Sequence, residues 1–100
     1  MAGEASISTE ILARYAADAA REAAGVRRVS RSPIPGRRGA RVSEGDDGIR
    51  VELHLAVEWG ASIPEVGADV QRRVSEYLQS MADVEPAVVD VVVDGVGPRP

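Results

Sequence analysis

The sequence predicts an α+β fold, a two-layer sandwich in which two helices pack on one face of a small, mainly antiparallel sheet in the order (β)αββαβ. Three observations predict it. Residues 49–59 alternate apolar and polar with period two, residues 63–82 carry an apolar stripe with period 3.6, and residues 87–93 return to period two. A second 3.6-period stretch near the N-terminus completes the helical layer, since striped helices and one-sided strands bury their apolar sides together.

A first strand ahead of the helices is expected to be short or absent. The first helix is expected to start at a Ser8 cap and run to about Ala24, with Ile11, Leu12, Tyr15, Ala16, Ala19, Ala20 and Ala23 recurring on one side. Because that side is mostly alanine, the helix can lie close against a sheet. Gly25 supplies the stop, entering the left-handed conformation freely for want of a Cβ. Val26 to Ser30 reads as a short strand. Residues 32–48 then hold two prolines, four glycines and several charges without periodicity. They are expected to form a mobile loop or hairpin connection, of a length above about 12–15 residues that is usually functional or disordered.

The central strand places Ile49, Val51, Leu53, Leu55, Val57 and Trp59 on one side and Arg50, Glu52, His54, Ala56 and Glu58 on the other. Gly60 ends it. Ser62 followed by Glu65 spells a capping box, and Pro64 falls in the first helical turn, where it costs no intrahelical hydrogen bond. The second helix, Ile63 to Ala82, has Ile63, Val66, Val70, Val74, Tyr77, Leu78 and Met81 on its stripe, with Asp69, Arg72, Arg73, Glu76 and Gln79 opposite. The last strand, Ala87 to Val93, turns Val89, Val91 and Val93 inward and Asp90 and Asp94 outward. Residues 96–100 are expected to fray.

One hundred residues make one domain, 1–100, whose core must be built from Val, Leu, Ile and Ala because only Tyr15, Trp59 and Tyr77 are aromatic. Without cysteine there is no disulfide framework and no thiolate metal site. The N-terminus has neither a basic start nor an apolar run, and no stretch approaches the roughly 20 apolar residues that span a bilayer. A cytoplasmic protein with no direct membrane insertion is expected. All twelve basic residues are arginine, which with abundant Ala, Val and Gly points to a GC-rich genome. Six of them, Arg27, Arg28, Arg31, Arg37, Arg38 and Arg41, lie in residues 27–43, which contain no Asp or Glu. From Glu44 onward twelve acidic residues face four arginines, so the net charge of −4 joins a basic segment to an acidic body.

Reactive constellations are scarce. His54, the only histidine, stands on the polar side of the central strand with no Ser or Cys nucleophile near it in sequence and no second histidine to share a metal. Gly36-Arg37-Arg38-Gly39 has the spelling of the clamp of KH domains, but that clamp joins two helices, and here prolines precede and a strand follows. Glu44-Gly45-Asp46-Asp47-Gly48 lacks the alternating ligands and distal glutamate of a calcium loop, and reads as a turn. No phosphate loop, zinc signature or nucleophile elbow is present. Neither catalysis, a cofactor nor a bound metal is expected.

The strand VELHLAVEWG, the linker ASIPEV, the amphipathic helix after it, the closing strand VVDVVVDGV and the N-terminal helix running into AAGV together resemble the alkaline-shock-protein family of bacterial envelope-stress proteins. The resemblance covers about Ile7 to Val96. It implies a non-catalytic scaffold or interaction protein of the envelope stress response or cell-envelope homeostasis. Such a protein self-associates as a homo-oligomer and sits beneath the cytoplasmic membrane through an integral membrane anchor protein. The arginine-rich central loop and the short N-terminal motif depart from the family. An alternative class follows from those arginines: binding of nucleic acid or an anionic surface through Arg27, Arg28, Arg31, Arg37, Arg38 and Arg41.

Overall fold

A computed structural model describes residues 8–30 and 39–98. Its elements are α1 (Thr9–Arg21), β1 (Val26–Val29), β2 (Ala40–Gly45), β3 (Gly48–Glu58), α2 (Ile63–Ala82) and β4 (Val88–Gly97). The order is αβββαβ, and both helices lie on one face of a four-stranded sheet, as the α+β expectation has it.

Each helix begins where its cap residue stands. Ser8 Oγ accepts from the Ile11 N–H at 3.2 Å, and Ser62 Oγ accepts from the Glu65 N–H at 3.4 Å, so each hydroxyl serves a donor with no intrahelical partner. α1 ends sooner than its pattern suggests, at Arg21, and two further turns lead to Gly25. α2 ends at Asp83, whose φ of 54° closes it in the left-handed conformation.

β3 is the axis of the sheet. On one flank β1 and β2 run antiparallel to it, while on the other β4 runs parallel to it over the whole span from Arg50 to Glu58. Two of the three pairings are therefore antiparallel. The parallel one requires a long crossover, which the 20-residue α2 provides.

The stretch expected to be a loop at 32–48 is corrected in part. Residues 40–45 form β2, joined to β3 by a tight hairpin at Asp46-Asp47, with Ala40 opposite Leu53 and Gly45 opposite Gly48. The Arg50 guanidinium bonds Asp47 across this hairpin and holds its carboxyl below the usual carboxylate range. Residues 31–38, with Arg31, Arg37 and Arg38, lie outside the described residues. The tail is corrected too: Val96 and Gly97 continue β4 opposite Val57 and Glu58.

The core fills the space between sheet and helices. Val51, Leu53, Leu55 and Val57 from β3 meet Leu12, Ala16, Ala20, Val66, Val70, Val74 and Leu78 from the helices, all of them buried. Burying one such leucine contributes roughly 1.5–3 kcal/mol. Tyr15 and Tyr77 close the seam between α1 and α2 edge to face, centroids 5.7 Å apart at 88°. Four residues expected on apolar faces stand exposed instead: Ile11, Ile63, Met81 and, most of all, Trp59. Trp59 lies one residue beyond the end of β3, and α2 starts only after the Gly60 turn.

Candidate interaction surface

Among the described residues nothing covers the face of the sheet opposite the helices, and the register assembles its side chains into rows across three strands. Arg41 of β2, Glu52 of β3 and Asp90 of β4 form one row. Ser43, Arg50 and Val88 form the next. Charges of opposite sign thus alternate along the face, with Arg50 further tied to Asp47 at 3.2 Å.

At the middle of the sheet, His54 joins all three strands. Its N–H donates to the Gly39 carbonyl at 2.8 Å and its carbonyl accepts from the Ser30 N–H at 2.7 Å. Ser30 and Gly39 are therefore both opposite the same residue of β3. Such a pinch forces two backbones together. A Cβ on Gly39 would overlap the Ser30 carbonyl, which is why glycine stands there.

Side chains reinforce the joint. Ser30 Oγ donates to Asp94 Oδ1 at 2.6 Å, Asp94 Oδ2 lies 3.6 Å from His54 Nδ1, and His54 Nε2 lies 2.8 Å from Glu52 Oε2. Asp94 reaches this row because β4 is bulged beside it, the register slipping by one residue between Leu55 and Ala56. A neutral imidazole has one N–H and serves one of the two carboxylates, whereas an imidazolium serves both. The serine hydroxyl points to the aspartate and not to the imidazole, so it lacks the hydrogen bond that activates a nucleophile.

The six arginines separate. Arg27 reaches across β3 to the end of β4, where its Nε donates to the Pro98 carbonyl at 2.9 Å. Arg28 and Arg41 are exposed, on β1 and β2 respectively, on either side of the Ser30–Gly39 pinch. The other three, Arg31, Arg37 and Arg38, lie outside the described residues. Sequence reasoning missed Ser30 and Asp94, which lie 64 positions apart and meet only through the β4 bulge.

The edges of the sheet are blunted. β4 pairs with β3 alone among the described residues, but Gln71 of α2 reaches over and donates to the Val89 carbonyl at 2.8 Å. The opposite edge is interrupted at the pinch. Pairing of bare edges is thereby discouraged, and among the described residues the face opposite the helices remains as a contact surface.

On the outward side of α2, Asp69 accepts from Arg72 at 2.5 Å and from Arg73 at 2.8 Å, and Arg72 also reaches Glu76 at 3.2 Å. The Arg73 guanidinium, and after it that of Arg72, holds the Asp69 carboxyl below its ordinary value. Among the described residues no group of three or more His, Asp or Glu could hold a metal ion, and no helix is long and apolar enough to cross a membrane.

Comparison with known proteins places this fold and sequence. Solved structures titled "MamM CTD H264E-E289H" and "MamM CTD D249E - Cadmium form" superpose with TM-scores of 0.65 and 0.57, covering 94% and 88% of this chain and 98% of each of theirs. Their identities of 14% and 15% make this a likeness of fold alone. The uncharacterized protein YqhY of Bacillus subtilis (strain 168) is 30% identical over 59 residues, which are 59% of this chain and 44% of that one. The chain thus spans less than half the length of this relative. The family model for alkaline shock protein 23, described as having a cell envelope-related function, matches residues 1–98, and the chain belongs to that family.

Proposed function

We propose that this domain is a non-catalytic scaffold of cell-envelope homeostasis, held at the inner side of the cytoplasmic membrane by an integral membrane partner and assembled with copies of itself. The observation that carries the reading is the sheet face opposite the helices. No described residue covers it, and it presents Arg41 and Arg50 beside Glu52 and Asp90 with exposed Val92 among them. Opposite charges interleaved on one surface suit self-complementary contact, because a rotated copy can set each sign against its opposite. Family membership supplies the envelope context. Catalysis is disfavoured by the Ser30–Asp94–His54–Glu52 chain, in which the one histidine lies between carboxylates and the serine is committed to one of them.

The alternative, binding of RNA or an anionic surface through the arginines, is weaker. Arg41 stands in a row with Glu52 and Asp90, which oppose a polyanion, and Arg27 is already engaged at the end of β4.

In-cell cross-linking in the native host, followed by purification under denaturing conditions, tests the proposal. The expected products are a ladder of self-adducts and an adduct with one integral membrane protein. Adducts with RNA alone would overturn it.

A further inference from the structure

We propose that the sheet face opposite the helices closes on a second copy of this chain about a two-fold axis parallel to β3, which sets Arg41 of each copy against Asp90 of the other. The inference rests on the scaffold reading and adds which residues meet when the protein self-associates.

On the row that crosses the sheet at Glu52, Arg41 stands on β2 and Asp90 on β4, both exposed. Neither makes a hydrogen bond or an ion pair with another described residue. Arg50 feels Asp90 through space but is hydrogen-bonded to Asp47 instead. Within one chain Arg41 and Asp90 are held two strand spacings apart, roughly 10 Å, with Glu52 between them. Each is a charge whose opposite lies across the face and out of contact.

Their placement is the one a two-fold interface needs. Both lie one strand from β3 on the same row, and in a two-fold contact a residue that meets a second residue of the partner is met there in return. Rotation by 180° about an axis along β3 carries β2 over the partner's β4, so two identical pairs form at once. It also lays the flank bearing Arg28 and Arg41 over the flank bearing Asp90 and Asp94. An axis across the strands would instead lay β2 on β2 and β4 on β4, like charge on like. Over the axis itself β3 faces β3. There Arg50 arrives bonded to Asp47 at 3.2 Å, and Glu52 lies 2.8 Å from His54, so neither comes as a bare charge. Val92, 41% exposed, adds apolar area on the β4 flank. Aligned sheets pack about 10 Å apart, a gap that an arginine and an aspartate reaching from opposite sides can span. Gln71 occupies the Val89 carbonyl on the free edge of β4, which favours addition by faces over addition by edges.

Charge reversal tests the pairing. Sedimentation equilibrium at low salt compares the wild type, Arg41→Glu, Asp90→Arg, the double variant and an equimolar mixture of the two single variants, with the fold of each checked by circular dichroism. Each single variant is expected to dimerise roughly tenfold more weakly, since two exposed pairs become two like-charge contacts. The double variant and the mixture are both expected to recover the wild-type constant, because each restores opposite charges across the axis. Single variants that associate like the wild type, or a failure of either combination to recover, would overturn this geometry and leave the scaffold standing. A wild type that stays monomeric at every concentration would overturn both this geometry and the self-assembly in the scaffold reading.

Discussion

The two flanks of β3 are built in opposite ways. On the β4 side one strand follows β3 from Arg50 to Glu58, tethered by the α2 crossover and broken only by the bulge at Asp94. On the other side two short strands share the same length, and they meet at His54. The continuous flank is acidic, with Asp90 and Asp94, whereas the interrupted flank carries Arg27, Arg28 and Arg41. Continuity goes with the long covalent crossover, which fixes β4 in place.

The largest effect is expected at the axis the flanks share. Leu55 is fully buried between Val93 and Val29 of the two neighbouring strands, so Leu55→Ala should destabilise by about 2–5 kcal/mol in chemical denaturation. An unmoved midpoint would mean that the inner and outer faces of β3 are exchanged. Gly39→Ala attacks the interrupted flank alone. The added methyl has to displace the Ser30 carbonyl, at a cost of about 1–3 kcal/mol, and amide exchange should quicken at Ser30 and His54 while the β3–β4 ladder keeps its protection. Equal loss of protection on both sides would show the flanks to be one cooperative unit.

Smaller effects separate the flanks further. Ser62→Ala removes the acceptor that starts the crossover helix and should cost about 1 kcal/mol. Asp94→Ala strips the Ser30 hydroxyl of its acceptor and should cost about 1 kcal/mol, felt on the interrupted flank although the substitution lies on the continuous one. The smallest is a pH effect on α2. Asp69 has its carboxyl depressed by Arg73 and Arg72, so the stability it contributes is present above the ordinary carboxylate pKa of about 4 and lost as pH falls through the depressed folded value. Asp69→Asn should flatten that part of the acid limb of a thermal-melt series. An unchanged limb would mean that the arginine contacts are not kept in solution.

How much of this was legible in the sequence follows the same division. The α2 boundaries, 63–82, were legible because three independent signals coincide there: the Gly60 stop, the Ser62 cap and an unbroken stripe. The β3 face pattern was legible through Val57 and failed at Trp59, because alternation sets the side of a sheet but not how far the covering helices extend. β2 was hidden since only Ala40 and Val42 turn inward, too few alternations among glycines and charges to read as a strand. The Ser30–Asp94–His54 contact was not legible at all. It depends on a one-residue bulge and a pinch, both of which are tertiary decisions about register.

The central claim is that the sheet face on which Arg41 and Arg50 stand among Glu52 and Asp90 assembles the protein, and sedimentation velocity at low and high salt, with and without RNA, tests it most directly. Wild type and the triple variant Arg37→Ser, Arg38→Ser, Arg41→Ser are compared. The account predicts that the wild type self-associates and that the association weakens both as salt rises and in the variant lacking Arg41, because paired opposite charges are screened over about 8 Å at physiological ionic strength. A strict monomer in both, with tight salt-sensitive RNA binding by the wild type alone, would contradict it.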